Sequence, residues 1–386
     1  MTATLPHSHG AAPTGSPAER FTSRNPEDFP DPSTAQEDWR FTPLARIRPT
    51  FAPYASEGTV TVTIDAPDGV TAERVGRDHP LFGAVAQPAD KVAALALANV
   101  EQALLVEIPA DAVLDRPIVI DVLGAPGRNY GHVIVHAGHH SDATVVFEHR
   151  GSTTDAANVE FVVDDGARLS VATVQQWDAD AIHLSAHSAL VGRDAFFRHS
   201  SITLGGGVVR IVPTVRFDGP GGTAELFGVS FAGDGQHFES RLFVDHAQPN
   251  CTSNVLYKNA LLGDSARTVW IGDVRIRPTA TGTDTYEMNR NLLLTDGARA
   301  DSVPNLEIET GDIAGAGHAS ATGRFDDLQL FYLQSRGIDA EHAQRLVVRG
   351  FFADVVDRIG LPDLQRQIMT AIEARLGFTP ELENED

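Results

Sequence analysis

Val159-Glu160-Phe161-Val162-Val163, the turn Asp165-Gly166-Ala167, and then Leu169-Ser170-Val171-Ala172-Thr173-Val174 set the pattern of this chain. Two β-branched runs flank a glycine-bearing turn, and neither run carries the three-and-four spacing of a helix. The same unit recurs on both sides. Ile118-Val119-Ile120-Asp121-Val122, His132-Val133-Ile134-Val135, Thr144-Val145-Val146-Phe147, Val208-Val209-Arg210-Ile211-Val212 and Val269-Trp270-Ile271-Gly272-Asp273-Val274 read as strands. Turn signals separate them, at Gly192-Arg193-Asp194-Ala195, Gly221-Gly222-Thr223-Ala224, Gly263-Asp264-Ser265-Ala266 and Asp296-Gly297-Ala298. More than about ten short strands between residues 85 and 325 suit a β-solenoid, in which each coil stacks its inward residues on the next. A double-sheet sandwich or jelly roll sends the same local signals, and the pattern leaves both open.

Outward from this array the chain changes character. Residues 1–35 are rich in Pro, Ser, Thr, Ala and charge, which predicts a disordered arm with His7 and His9 solvated. Residues 36–85 read as a docking segment, with Trp39 and Phe41 available to pin the arm to a β core over 86–325. Residues 326–380 read as a helical module. Asp326 or Asp327 caps a first helix that runs through Ser335 and stops at Gly337. Asp339 caps a second helix, whose Val348, Phe351, Phe352, Val355, Val356 and Ile359 follow the 3.6 period to Gly360. Pro362 opens a third, with Leu364, Ile368, Ile372 and Leu376 down one face. An acidic tail, 381–386, closes the chain.

Composition narrows the function classes. The 386 residues, 42% hydrophobic, can bury a substantial core. A net charge of -22 disfavours nucleic acid and anionic membranes. Val92–Ile108, the longest apolar run, is broken by Asn99, Glu101, Gln102 and Glu107, so no membrane span is expected. Met1 to Arg20 has no apolar signal-peptide stretch, which makes the cytoplasm the expected location. Lys91 and Lys258 are the only lysines and neither lies in a phosphate-binding glycine loop, so the chain is not expected to bind ATP by itself. Cys251, the single cysteine, excludes an intrachain disulfide and reads as a small buried thiol.

Other motifs read as structural. His136, His139 and His140 resemble a metal cluster, but on a strand and its turn they alternate between faces. His183 and His187 share one face of a strand and read as packing. Gly228-Val229-Ser230-Phe231-Ala232-Gly233 is one residue too long for a nucleophile elbow. The enzyme alternative is a carbohydrate-active β-helix using Asp164 and Asp165, although adjacent carboxylates usually point apart. A homodimeric structural protein is the other alternative.

The run Gly315-Ala316-Gly317-His318-Ala319-Ser320-Ala321-Thr322-Gly323-Arg324-Phe325-Asp326-Asp327 leads into Leu330-Phe331-Tyr332-Leu333-Gln334-Ser335-Arg336-Gly337-Ile338. With Asn289-Arg290-Asn291-Leu292-Leu293-Leu294 and Ala300-Asp301-Ser302-Val303-Pro304-Asn305-Leu306-Glu307-Ile308 before it, this resembles the SufB/SufD family of iron–sulfur cluster assembly proteins, closest to the SufD branch. The resemblance implies a right-handed parallel β-helix core and a noncatalytic scaffold subunit. Its partners would be a SufB-like subunit, met through the β-helix, and a SufC-like ABC ATPase, met through the C-terminal helices at about 340 to 359. It further implies that His318 is a transient ligand of iron or of a cluster shared with SufB. No cofactor would be bound tightly, and ATP would be bound only by the SufC partner. No cysteine flanks His318, so the thiolates would come from the partner. Arg336, Arg345, Arg349, Phe351 and Phe352 combine the cationic and aromatic chemistry of a partner surface.

Overall fold

Inward positions on successive strands fall into register, and this decides between solenoid and sandwich. Ala157, Val159, Phe161 and Val163 stack on Gly131, Val133, Val135 and Ala137 on one side and on Ser185, His187, Ala189 and Val191 on the other, in parallel ladders. The computed structural model of the chain describes residues 20–325 and 327–377, the side chains of 327–330 excepted.

In chain order the strands are β1 (Val60–Asp65), β2 (Thr71–Gly76), β3 (Gln102–Ile108), β4 (Ile118–Gly124), β5 (Arg128–Ala137), β6 (Asp142–Gly151), β7 (Thr154–Val163), β8 (Arg168–Trp177) and β9 (Ile182–Val191). They continue as β10 (Phe196–Thr203), β11 (Val208–Phe217), β12 (Thr223–Ala232), β13 (His237–His246), β14 (Thr252–Leu261), β15 (Arg267–Ile276), β16 (Thr283–Leu293), β17 (Arg299–Ile308) and β18 (Ile313–Arg324). They form two nine-stranded sheets, β1-β4-β6-β8-β10-β12-β14-β16-β18 and β17-β15-β13-β11-β9-β7-β5-β3-β2. Only the β1–β4 and β2–β3 pairings are antiparallel. From β3 onward each coil gives one strand to each sheet, making a parallel β-solenoid of about eight turns.

Each sheet has its outer face covered by one flank of the chain. The short helix α1 (Leu44–Ile47) and the helix α2 (Lys91–Asn99) lie over the sheet containing β5, β7, β9 and β11, where Trp39, Ile47, Val92 and Leu95 pack on Tyr130, Ala156, Leu184 and Val208. A buried charge cluster ties this cover down. Arg210 donates to Asp90 (2.6 Å) and Glu239 (3.1 Å) and lies over the Trp39 ring, while Thr42 donates to the other Glu239 oxygen at 2.8 Å. Trp39 is therefore the pin the sequence suggested, and Phe41 is only half-buried. α2 is a correction to the expectation of an all-strand region from residue 86: Asp90 caps it by accepting from Ala93 N, and its Ala/Leu face is almost wholly buried.

Residues 1–19 of the expected arm lie outside the described residues, and the part from 20 to 35 is held to the body. Phe29 is buried and packs edge-on against Phe21 at 5.2 Å; Arg24 donates to Gly83 O, and Lys91 pairs with Asp31. The boundary at 35 therefore moves back, because two aromatic rings and two cations offset the ordering entropy that composition alone suggested would prevail.

The other sheet is covered by the C-terminal helices α3 (Asp327–Gln334), α4 (Ala340–Val356) and α5 (Pro362–Arg375). Asp339 caps α4 by accepting from His342 N at 2.9 Å, and Gly337 and Gly360 adopt the left-handed conformation at the breaks. Val348, Phe352, Val355, Val356, Leu364, Ile368 and Ile372 form one core with Ile202, Phe227, Val229, Phe231 and Leu256 of the sheet. Lys258, buried on β14, donates to Phe351 O and Asp354 and fixes α4 to the solenoid. The cap expected at Asp326 or Asp327 and the acidic tail at 381–386 lie outside the described side chains.

Candidate functional site

Strands β17 and β18 end the two sheets, and each has a single strand neighbour. Their residues are half-buried or exposed throughout, unlike the buried strands behind them. The last coil is thus an open end with two free strand edges and an exposed lumen-facing row.

His318 lies on this row. It is exposed, and its ladder partner on β16 is Glu287, which is fully buried. Strand alternation puts His318 on the inward face, while Gly315 and Gly317 face outward against Asp284 and Tyr286. The imidazole is accessible because no coil follows it.

Beneath Thr322, on the same inward row as His318, the lumen is polar. Ser230 donates to Asn259 (2.6 Å), Asn259 to Asn291 (2.8 Å) and Asn291 to Thr322 (3.0 Å), a side-chain ladder reaching the last coil. Ser302 Oγ joins from the facing strand, donating to Asn289 Oδ1 at 2.7 Å. Glu287 sits beside this network without belonging to it. Neither carboxyl oxygen has a hydrogen-bond partner, and the same holds for Trp270 Nε1, Tyr257 Oη and Thr268 Oγ1. Room for the carboxyl exists because residue 272 is glycine: a Cβ there would lie 2.3 Å from Glu287 Oε2 and 2.5 Å from the Trp270 ring. Burial, with the Asp273 charge second, pushes the Glu287 carboxyl up to about 8, so it is mostly neutral at pH 7. Leaving such a group unpaired costs on the order of 1–3 kcal/mol.

The helical candidates fall on a different surface, and the structure separates them. Phe352 is fully buried against the solenoid and is corrected from partner surface to core: the face repeating at Val348, Phe352, Val355 and Val356 is the one that docks. Phe351 is half-buried, edge-on to Phe352 at 5.0 Å and beneath Lys258. Arg345 and Arg349 both pair with Glu373, at 2.6 and 3.1 Å, clamping α4 to α5. Arg336 is exposed and lies over the Tyr332 ring. Sequence reading missed the apolar side chains that do face solvent here: Phe331, 68% exposed, Tyr332, 53%, and Leu346, 49%.

Residues 122–351 match the family described as SUF system FeS cluster assembly, SufBD core domain. The chain belongs to the SufBD family. It is 52% identical to an iron–sulfur cluster assembly SufBD family protein of Mycobacterium bovis over 375 residues, covering 95% of this chain and 94% of that one. A SufBD family protein of Mycobacterium leprae is also 52% identical, over 369 residues, 93% of this chain and 94% of the relative. The iron–sulfur cluster assembly protein SufD of Escherichia coli is 29% identical over 252 residues, 62% of this chain and 59% of its own.

The remaining candidates in this SufBD protein are engaged in contacts within the chain. His136 pairs with Asp164 at 3.0 Å, and Asp165 turns away to accept from Arg193 N, so the two carboxylates do point apart. His183 bonds Asp155 and His187 bonds His199, all inside the solenoid. Cys251 is buried, its thiol pushed up by desolvation, and donates weakly to Gly219 O. Among the described residues no group of three or more His, Cys, Asp or Glu side chains could by itself hold a metal ion, and no helix is long and apolar enough to cross a membrane.

Proposed function

We propose that this SufBD protein is a SufD-like, noncatalytic scaffold subunit of a SufBCD-type iron–sulfur cluster assembly complex. The observation that carries the reading is the open end of the solenoid: two free parallel strand edges, β17 and β18, with His318 exposed on the inward row between them and solvent. A partner solenoid can add its own edge strands there by main-chain hydrogen bonding, which would enclose His318. A SufB-like subunit is the partner, and it brings the thiolates that this chain lacks. The nascent cluster is then the cargo of a shared site, with His318 as one nitrogen ligand.

The ATPase surface is the outer face of α3 and α4, where Phe331, Tyr332 and Leu346 expose apolar area beside Arg336. A SufC-like subunit docks on it, and nucleotide-driven motion reaches the solenoid through the α4 core and the Lys258 staple. Soluble assembly of this kind suits the cytoplasm. The test is the mass of the complex by light scattering after anaerobic co-expression with a SufB-like and a SufC-like protein. A stable species with one copy of this chain, one SufB-like subunit and two ATPase copies is expected. This chain running alone, or as a dimer of itself that ignores both proteins, would overturn the reading.

A further inference from the structure

Eight carboxylates are buried among the described residues, and seven have partners. Asp90 bonds Arg210, Asp155 bonds His183, and Glu160 accepts from three backbone N–H groups and faces His132. Glu239 bonds Arg210 and Thr42, Asp245 bonds Arg277, Asp273 bonds Asn305, and Glu373 bonds Arg345 and Arg349. Glu287 is the exception, with neither oxygen engaged. It is also the one whose ladder neighbour is His318.

We propose that Glu287 and His318 form a two-residue binding site for a divalent cation at the mouth of the solenoid, the carboxylate coming from the penultimate coil and the imidazole from the last. The inference rests on the scaffold reading for its cargo, ferrous iron, and adds a ligand to it. The two residues hold the same register on adjacent parallel strands, so their backbones are about 4.8 Å apart and their side chains leave the same face. An oxygen and a nitrogen on neighbouring rungs can reach one ion, as carboxylate and imidazole do in mixed metal sites. The wall around the carboxyl has kept its space, through Gly272, without supplying a cation: the Trp270 ring lies beside it and the charged group acting on it is another carboxylate, Asp273. On binding, one O–metal and one N–metal bond replace two water–metal bonds, and the carboxyl proton passes to solvent. The remaining coordination positions face outward, where a partner's thiolates would enter.

The test is anaerobic calorimetric titration of the purified full-length chain with ferrous iron alone, comparing wild type, Glu287→Gln, His318→Ala and the double variant. Comparison among the variants isolates this site from the other histidines. Each single variant is expected to lose the tightest binding event, at least tenfold in affinity, and the double variant no more than either single. Unchanged binding in Glu287→Gln, or no resolvable site in the wild type, overturns the proposal. Circular dichroism on each variant separates loss of a ligand from loss of fold. Because no partner is present, a cation site with no complex formation would sink the scaffold reading alone, and complex formation with no cation site would sink this one alone.

Discussion

Glu287 is a fully buried carboxyl whose two oxygens both lack a hydrogen-bond partner. In Thr285-Tyr286-Glu287-Met288-Asn289-Arg290-Asn291, a period-2 reading that puts the apolar residues inward buries Tyr286 and Met288 and exposes the glutamate. The fold does the reverse: Glu287, Asn289 and Asn291 face inward, Gly272 leaves room for the carboxyl, and the outer face carries Tyr286 and Arg290. His318 was legible only through its family motif; nothing in its spacing marks it. A carboxyl with a folded pKa near 8 and an unfolded value near 4.5 stabilises the fold fully below pH 4.5 and loses that contribution as pH rises to 8. The loss amounts to roughly 5 kcal/mol. Glu287→Gln cannot ionise, so its melting temperature relative to wild type should rise steadily between pH 5 and 8 and then level off. A gap that stays constant across that range would contradict the buried, unpaired state of this carboxyl.

Among elements, the helical module was the most legible and the last coil the least. The caps, glycine stops and 3.6-residue apolar stripe of α4 and α5 are local signals, read without knowledge of the fold. What they could not say is which aromatic faces in: Phe351 and Phe352 are neighbours, and only packing against Phe227 and Phe231 decides. Phe352→Ala should cost about 3–5 kcal/mol and release the module, seen as rapid proteolysis within 340–375 while the solenoid's strand signal persists. Retained protease resistance would mean that the Lys258 and Glu373 contacts suffice. Strands β17 and β18 look like any other strands in sequence, since an edge is defined by what does not follow it. Hydrogen exchange with and without a SufB-like partner should show their amides newly protected. Protection confined to other strands would relocate the interface.

Across the whole molecule, the solenoid was visible as an array and ambiguous as an architecture. Ladder partners are separated by 26 residues between β9 and β11 and by 32 between β15 and β17, so no fixed sequence period survives to separate coils from sandwich strands. The histidines inside the coils set the response of the whole fold to acid. His199 and His246 are lowered to about 4 by burial, and His149 and His187 lie well below their ordinary value for the same reason. Groups held neutral in this way contribute fully above the unfolded pKa of about 6.5, and that contribution falls away as pH drops through 4. At about 3 kcal/mol each for His199 and His246, this outweighs the opposite trend from the single Glu287. Melting temperature should fall steeply between pH 6.5 and 4.5; a flat profile would contradict a solvent-excluded lumen.

The central claim is that the open mouth of this solenoid is one half of a cluster-assembly site, and it is tested most directly by iron and acid-labile sulfide content. Complexes with a SufB-like and a SufC-like protein would be isolated anaerobically with wild-type chain and with His318→Ala. The account predicts equal recovery of both complexes, with cluster content lost only in the variant. Equal cluster content in the two would remove His318, and with it the mouth, from the chemistry of assembly.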